Sequence, residues 1–534
     1  MDTMAYRIRL VSRIRLRSGF LRWSSAVATF ALLGCSGDPS GAEAGAETGT
    51  DAGTDAGTDA TETGSAEAGD GIEILDVNII QPEDCGLSAI IEVETSVGST
   101  VEVTTVSKGG LKMAAAPSSD ATSHRILLAG LHASQEYELL ITATSDDVGD
   151  SVSDVFSIAT GALPTATQIG SLSSASSDVD LTTFGAILHG AVARMYPISE
   201  TPADTTVALA TDGNGEVNWW YRDLSVPETF AVRDIEILED GRIMLRLPGE
   251  IRLINAACEL LASYNSPVDG WGIHHDATLL PNGNILALAR ETLPIDVPQL
   301  GGVVNLQGDT LIEISPQGEA VWTWSAFDHL DTQRFPGALS SNEKMSMSGI
   351  YYDWTHGNGI WYDASDDSIL ISLRHQNWVI KVDHGTGDVL WRLGDGGDFA
   401  LMGANSEWFY SQHMPSITTD GSIMVYDNGN ERPTDPGTYS RAVRMELDMD
   451  TMTSTQAWSF QVPAYTAYLG GASELESGNI LVTAGGQRTN NIPAYIIEAD
   501  PNANDEVVWQ IEYPDSTIYR SQHSPSLAGE TFSH

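Results

Sequence analysis

The stretch TDGSIMVY, residues 419–426, decides the fold, because its pattern of a tight turn followed by an apolar strand recurs along the chain. Four further copies are EDGRIML (239–245), PNGNILAL (281–288), DDSILIS (366–372) and ESGNILVT (476–483). A short supersecondary phrase that returns several times along one chain is typical of an array of similar modules. We therefore interpret this part of the chain as a repeat protein.

A second repeated phrase carries tryptophan. Its five copies are GEVNWWY (215–221), GEAVWTW (318–324), GDVLWRL (387–393), STQAWSF (454–460) and DEVVWQI (505–511). Each unit thus contains a strand, a turn, a strand, a longer connection and a tryptophan-bearing strand, at irregular spacings that are mostly about 40–57 residues. Four-stranded units of this length predict an all-β fold, a β-propeller. We count six blades, with a first unit that ends at Trp219, and five or seven remain compatible with the pattern.

The segment before the repeat predicts a separate small β-domain. Short alternating runs such as SAIIEVET and YELLITATS fill residues 72–163, and Tyr137 follows Leu131 at a spacing that resembles the tyrosine corner of an Ig-like or fibronectin type III sandwich. We predict a sandwich of about seven strands at 72–163 and the propeller at 164–534. Cys85 and Cys258 are compatible either with one disulfide or with two buried thiols.

The N-terminus has the pattern of a lipoprotein signal. Six arginines lie in the first 22 residues, and the apolar run AVATFALL is followed by LLGCSGD. We predict a signal peptide at 1–34, acylation of Cys35 and a flexible acidic stalk at 35–71, because that segment lacks large apolar side chains. The expected location is the cell envelope, at the outer membrane and facing either side. A plain secretory signal with a chance cysteine is the alternative.

The charge balance excludes one class of partner. The chain has 73 acidic and 26 basic residues, for a formal net charge of −47. A surface of this sign repels the phosphates of nucleic acids, so we expect no nucleic-acid partner.

Histidines share one position in several blades. His275 and His413 each stand eight residues before the turn glycine of their blade, Arg233 has the same place in an earlier blade, and His356 has the analogous place in a fourth. Equivalent positions on the innermost strands of a propeller surround its central channel, so we expect these side chains to converge there. His274 adjoins His275, and the register favours His275.

A second ring is predicted seven residues after the turn, where Arg290, Arg374 and Asn428 stand. Arginine beside imidazole predicts an anion site, because the planar guanidinium matches a tetrahedral oxyanion. Arginine also opposes a bound cation, and we expect neither a metal nor a cofactor. The same positive charge lowers the pKa of a neighbouring histidine and keeps its imidazole neutral and nucleophilic.

Three long runs resemble the bacterial aryl-sulfate sulfotransferases, which do not use phosphoadenosine phosphosulfate. They are HHDATLLPNGNILAL (274–288), the run from HGNGIWYD to WRLGD (356–395) and SQHMPSITTDGSIMVYDNGN (411–430). The resemblance implies a six-bladed propeller behind a small β-sandwich, and transfer of a sulfuryl group from an aryl sulfate to a phenol through a sulfohistidine. Carried over, His413 is the nucleophile, and His275, His356 and Arg374 hold the sulfate. Arg290, Asn428, Arg233 and His274 are then expected substrate contacts.

Two other functions fit parts of the sequence. A binding or scaffold propeller of the envelope needs no reactive channel, and a hydrolase would result if water replaced the phenol. The oligomeric state is not predicted by the sequence. The phrase around His413 has a shorter echo, SQHSPSL at 521–527, and both copies have the pattern of an opening innermost strand. We predict that His523 belongs to a closing or trailing segment.

Overall fold

The computed structural model describes residues 71–107, 112–115, 118–164, 170–177, 179, 185–191, 208–222, 232, 234–247, 249–337, 342–346, 349–433, 438–487, 491–503, 506–514 and 517–527. Cys35, the predicted signal peptide and almost all of the predicted stalk lie outside these residues. The described residues are almost entirely strands and their turns, so the all-β class is confirmed.

The small N-terminal domain has six strands in its described part. They are β1 (Ile74–Ile80), β2 (Ala89–Ser107), β3 (Lys112–Ala114), β4 (Ala121–Leu128), β5 (Glu136–Ser145) and β6 (Asp150–Ala159). The long strand β2 pairs with β1 and β4 through its first half and with β3 and β5 through its second half, and β5 pairs with β6. The hydroxyl of Tyr137 accepts a hydrogen bond of 2.8 Å from the backbone N–H of His132, which is the contact expected of a tyrosine corner. Assignment to the Ig or fibronectin class stays a prediction.

The remaining described strands form six antiparallel sheets, each built on four strands. In chain order they are β7 (Ser171–Ala175), β8 (Ala186–Ala191), β9 (Ala208–Thr211), β10 (Val217–Tyr221), β11 (Asp234–Ile237), β12 (Ile243–Leu247), β13 (Glu250–Ile254), β14 (Leu260–Asn265), β15 (Gly272–Leu279), β16 (Ile285–Val297), β17 (Gly302–Ile314), β18 (Ala320–Ser325), β19 (Glu343–Ser346), β20 (Gly349–Asp353), β21 (Gly357–Asp363), β22 (Ser368–Leu373), β23 (Trp378–Asp383), β24 (Val389–Leu393), β25 (Ala400–Met402), β26 (His413–Ile417), β27 (Ile423–Asp427), β28 (Arg441–Asp448), β29 (Thr453–Gln461), β30 (Gly471–Glu474), β31 (Ile480–Ala484), β32 (Ala494–Asp500), β33 (Glu506–Tyr513) and β34 (Ile518–Ser524).

The sheets follow the two repeated phrases. Their strand orders are β34-β8-β9-β10, β11-β12-β13-β14, β15-β16-β17-β18, β21-β22-β23-β24, β26-β27-β28-β29 and β30-β31-β32-β33. Every turn phrase connects the first and second strands of a sheet, and every tryptophan phrase forms the fourth strand. The predicted assignment of both phrases is therefore confirmed.

The sheets close into a ring mainly through their first strands. Neighbouring contacts join β34 to β11, β15 to β21, β21 to β26, β26 to β30, and β30 back to β34, and the second and third sheets meet where β12 and β13 contact β15. The last strand of the chain, β34, pairs with β8 and completes the first sheet. Strands from the two ends of the repeat region therefore share one sheet, an arrangement that closes the propeller.

Short additional elements extend several of the sheets. Strands β19 and β20 extend the sheet of β17, β25 pairs in parallel with β29, and β7 adds to β33. A single-turn helix, α1 (Ala326–His329), follows β18, and 3₁₀ turns span Pro298–Leu300 and Arg374–Gln376. None of the helices in the described part of the chain is long and apolar enough to cross a membrane.

A disulfide joins the small domain to the propeller. Cys85, between β1 and β2, is bonded to Cys258, in the turn between β13 and β14. Beside it the Ser88 hydroxyl donates to the Ala256 carbonyl at 2.8 Å, and Trp220 of the propeller packs into the core of the small domain. Of the two alternatives left open by the sequence, the structure has the disulfide.

We expect Cys258→Ser to lower the free energy of unfolding by about 2–5 kcal/mol, because the bond closes a loop of 173 residues in the unfolded chain. Thermal unfolding with and without a thiol reductant measures the effect. The reductant should lower the melting temperature of the wild-type protein and leave that of the variant unchanged. Equal melting temperatures for wild type and variant in the absence of reductant would contradict a stabilising bond.

Candidate functional site

Three histidines lie at irregular points of the first strands of their sheets or directly before them. The ladder between β15 and β16 is interrupted between Ile273 and Ala277, and His275 has a φ of 55°. His356 immediately precedes β21 with a φ of 50°. His413 opens β26, whose ladder is interrupted directly after it. Bulges and left-handed residues of this kind redirect side chains and concentrate at functional sites.

The rings of these histidines gather around one tyrosine. The ring centroids of His275 and His356 are 5.3 Å apart, and Tyr519 lies 5.8 Å from His275 and 6.2 Å from His413. Arg374 is close enough for its charge to act on His413. The structure thus brings together the four side chains that the sequence singled out as central.

The tautomer of His413 is fixed by Asn428. The Asn428 amide nitrogen donates to the carbonyls of Thr466 at 2.7 Å and Leu469 at 2.8 Å, so its oxygen faces the His413 Nδ1 at 2.6 Å. An amide oxygen can only accept, and Nδ1 therefore carries the hydrogen. The lone pair of the neutral ring lies on Nε2, which accepts a longer contact of 3.3 Å from the Leu469 N–H. His413 presents a nucleophilic nitrogen in a defined direction.

Burial keeps His413 neutral. The side chain is 2% exposed, and burial together with the positive charge of Arg374 lowers its pKa well below the usual value, against the opposing effect of the Asn428 hydrogen bond. The imidazole is therefore unprotonated at neutral pH, as a nucleophile requires.

We expect Asn428→Asp to make the activity pH-dependent in a predictable direction. A carboxylate on Nδ1 raises the pKa of His413, so the imidazole is cationic on the acid side of neutrality and loses its nucleophilic lone pair. Turnover should fall about tenfold for each pH unit below the new pKa, because the neutral fraction of the imidazole falls in that proportion. The measurement is initial velocity against pH. A pH profile parallel to that of the wild type would contradict the assigned role of Asn428.

Asp353 holds the second histidine. The Asp353 carboxylate is 2.5 Å from His356 Nδ1, and its backbone carbonyl accepts from His375 Nδ1 at 2.7 Å. Burial opposes ionisation of Asp353, but the charge and hydrogen bond of His356 outweigh it and hold the pKa of this carboxyl far below its usual range. His356 is thus backed by a permanent negative charge, in contrast to His413, which is backed by a neutral amide.

Arg374 supplies the guanidinium of the site. It begins the 3₁₀ turn after β22, its Nη1 contacts His375 Nε2 at 2.7 Å and its Nη2 donates to the Ala467 carbonyl at 3.2 Å. Burial lowers the pKa of Arg374, and burial with the neighbouring His356 charge lowers the pKa of His375 to about 3. A guanidinium remains cationic despite such a shift, and His375 stays neutral. Arg374 and His375 line a cavity of about 230 Å³ at this end of the channel, together with Lys344 and Asn430.

Asp353, His356 and His375 offer ligand atoms within 4.8 Å of one another, the usual mark of a possible metal site. In His375, however, Nδ1 donates to a backbone carbonyl and Nε2 faces the Arg374 guanidinium. Both nitrogens of this ring are therefore committed, and the adjacent cation opposes a second positive charge.

The residues expected as additional substrate contacts lie outside the group formed by His275, His356, His413 and Arg374. His274 contacts His275 and is 7% exposed. The side chain of Asn428 is hydrogen bonded to His413 Nδ1 and so orients that ring. Arg290 is exposed on β16, opposite Gly272 in the ladder. Arg233 lies outside the described residues.

The second copy of the SQH phrase differs from the first in register. His413 opens its innermost strand, but His523 is the penultimate residue of β34 and lines a separate cavity of about 710 Å³. The prediction that both phrases open a strand is wrong for the second copy, because β34 begins at Ile518, so that Tyr519 reaches the ring of histidines. The assignment of His523 to a closing segment is confirmed.

Four further residues near the site were not predicted from the sequence: Asp309, Asp353, His375 and Tyr519. His375 directly follows Arg374 in the sequence. Tyr519 lies in β34, an innermost strand, and could have been found by comparing the corresponding positions of all innermost strands. The two aspartates stand in β17 and β20, outside the repeated phrases.

The chain is similar in sequence to known proteins. Residues 188–520 match the profile described as Arylsulfotransferase (ASST). Two curated relatives, both called arylsulfate sulfotransferase AssT, are 24% identical in Escherichia coli O6:H1 and 22% identical in Lelliottia amnigena, over 47% of this chain and 52% of each relative. The chain thus spans about half the length of these relatives. A solved structure of a protein of unknown function from Bacteroides caccae is 13% identical, with a TM-score of 0.39 over 63% of this chain and 97% of that one.

The profile match covers more than half of the 534 residues and includes the channel residues from His274 to Tyr519. This chain therefore belongs to the arylsulfotransferase family.

Proposed function

We propose that this protein transfers a sulfuryl group from an aryl sulfate ester to a phenolic acceptor through a sulfohistidine at His413. The observation that carries the proposal is the neutral, buried His413 with its Nδ1 hydrogen bonded to Asn428 and its lone pair on Nε2. The names of the two curated relatives point to the same chemistry.

The first half-reaction forms a covalent intermediate. The Nε2 lone pair attacks sulfur as the bond from sulfur to the aryl oxygen breaks, and the phenolate departs with the bonding electron pair and takes up a proton. Charge on the sulfuryl oxygens is balanced by Arg374, and by His356 when it is protonated beside Asp353. Preorganised donors of this kind stabilise a transition state because they need no reorientation during the reaction.

The second half-reaction reverses the first with a different phenol. The acceptor hydroxyl loses its proton to a site base, its oxygen attacks sulfur, and the nitrogen–sulfur bond breaks to restore neutral His413. Both products have then left in sequence, which is a ping-pong scheme.

The test is release of a chromogenic phenol from an aryl sulfate by purified protein, with and without an acceptor phenol. Transferase activity predicts one equivalent of release without acceptor and continuous release with it. Continuous release without acceptor would identify a hydrolase. Absence of release from a panel of aryl sulfates would favour the second hypothesis, a binding propeller, which has no need of a buried histidine in a fixed tautomer.

We also propose that the protein is attached to the cell envelope through lipid on Cys35, at the outer membrane. Support comes from the arginine-rich start, the apolar run and the LLGC phrase. Metabolic labelling with a radioactive fatty acid tests it: wild type should be labelled and Cys35→Ser should not. Labelling of neither protein would leave the secretory alternative.

A further inference from the structure

A chain of three side chains leads from a buried carboxylate to the ring of histidines. His274 Nε2 is 3.1 Å from Asp309 Oδ1, and His274 Nδ1 is 2.6 Å from His275 Nδ1. Asp309 is 3% exposed and His274 is 7% exposed, whereas His275 is half-buried and faces His356 and Tyr519. The arrangement connects Asp309 to the site through His274.

Asp309 is held as an anion. Its Oδ2 accepts hydrogen bonds from the Thr355 hydroxyl and the Gly357 N–H. Burial opposes ionisation, but the close contact with His274 and these two donors outweigh it and lower the pKa of Asp309. A buried carboxylate of this kind requires a nearby positive charge or a donor, and His274 provides it.

The hydrogens of the two rings follow from that anion. His274 Nε2 carries a hydrogen, because it faces an ionised carboxylate oxygen. The two Nδ1 atoms share one hydrogen, since at 2.6 Å one must donate and the other accept. A proton that arrives at His275 Nε2 therefore makes a cation whose charge spreads through the Nδ1 pair to the vicinity of Asp309.

We propose that Asp309 and His274 are positioning residues that keep His275 protonated at neutral pH, so that His275 Nε2 gives its proton to the departing phenolate. The same nitrogen then takes the proton of the acceptor phenol. The proposal rests on the proposed sulfuryl transfer and deepens it. Two histidines of the same site thus have opposite protonation states. His413 is neutral because its partner is the Asn428 amide, and His275 is protonated because His274 links it to the Asp309 carboxylate.

Two other carboxylates near His275, those of Asp276 and Asp353, have partners of their own. Asp276 follows His275 in β15 and is paired with Arg520 of β34 at 2.9 Å. His356 is hydrogen bonded to the Asp353 carboxylate, and the Asp353 backbone carbonyl accepts from the neutral His375, which lies beside the Arg374 guanidinium. Tyr519 donates its hydroxyl to the Asn358 carbonyl at 3.0 Å and is neutral in that role.

The experiment compares two donors that differ in the basicity of the leaving phenolate, 4-nitrophenyl sulfate and phenyl sulfate. A weakly basic nitrophenolate departs without a proton, whereas phenolate needs one. Asp309→Asn and His274→Gln should lower the rate with phenyl sulfate about 10²–10³-fold and the rate with 4-nitrophenyl sulfate less than about 10-fold, because loss of a general acid penalises the poorer leaving group.

The pH profile gives a second readout. Asp309→Asn removes the carboxylate and His274→Gln removes its link to His275, so each disfavours the protonated form of His275, and the alkaline fall of kcat/KM for phenyl sulfate should move to lower pH by about one unit or more in both variants. His384→Gln is the matched control, since His384 also lies between two carboxylates, Glu313 and Asp367, on the outer part of its blade. It should preserve both rates and the profile.

The outcomes separate the two proposals. If wild type releases phenol from neither donor, the sulfuryl transfer itself is wrong. If wild type is active and the folded variants lose the same factor with both donors, with an unmoved pH profile, the relay is wrong and the transfer stands. Should Asp309→Asn fail to give the wild-type circular dichroism spectrum, His274→Gln decides the question by the same two measurements.

Discussion

His413→Ala should lower the rate of sulfuryl transfer at least about 10⁴-fold, because loss of a covalent nucleophile removes the reaction path itself and leaves only the surrounding binding groups. The variant should also lose the single equivalent of phenol that the wild type releases without an acceptor. Mass spectrometry of the wild type after brief exposure to donor should find one added sulfuryl group, and peptide mapping should locate it on residues 411–430.

His523→Ala is the matched control for that variant. It removes a histidine from the same tripeptide, SQH, but His523 lies near the end of β34, four residues beyond Tyr519, and lines the cavity of about 710 Å³. Its rate should stay within about twofold of wild type, as expected for a substitution outside the site. Retention of the sulfuryl adduct in His413→Ala, or its loss in His523→Ala, would contradict the assignment of the nucleophile.

The contrast between these two histidines shows what local sequence can predict. The turn and tryptophan phrases predicted the sheets because the strands that they form pair with strands that are close in sequence, within one blade. The position of His413 followed from counting along the same phrase. The second SQH copy has the same three residues, but its strand, β34, pairs with β8 from the start of the propeller. That pairing sets the register of β34.

The carboxylates behind the histidines could not be predicted in this way. Asp309 stands in β17 and reaches His274 in β15, and Asp353 stands in an added strand, β20. Contacts between non-neighbouring strands depend on how the sheet twists and where its bulges lie. The disulfide is a similar case, since Cys85 and Cys258 are brought together by the packing of the small domain on the propeller.

Arg374→Lys should lower kcat/KM for the donor about 10²–10³-fold, the cost typical of a lost charge-stabilising donor. Lysine keeps the positive charge but replaces a planar fork with a point charge on a flexible stem, so it cannot hold His375 and the Ala467 carbonyl while it also contacts sulfuryl oxygens. The loss should fall mainly on the rate of the first half-reaction, measured as the burst of phenol without acceptor.

Arg392→Lys is the control for this substitution. Arg392 lies in β24 of the same blade and pairs at the surface with Asp398 at 3.2 Å, where lysine can replace it. Its burst rate and melting temperature should match those of wild type. If Arg374→Lys retains the wild-type burst rate while its melting temperature falls, the guanidinium serves the fold of the 3₁₀ turn, and stabilisation of the transferring sulfuryl group must be assigned to His356 and His275.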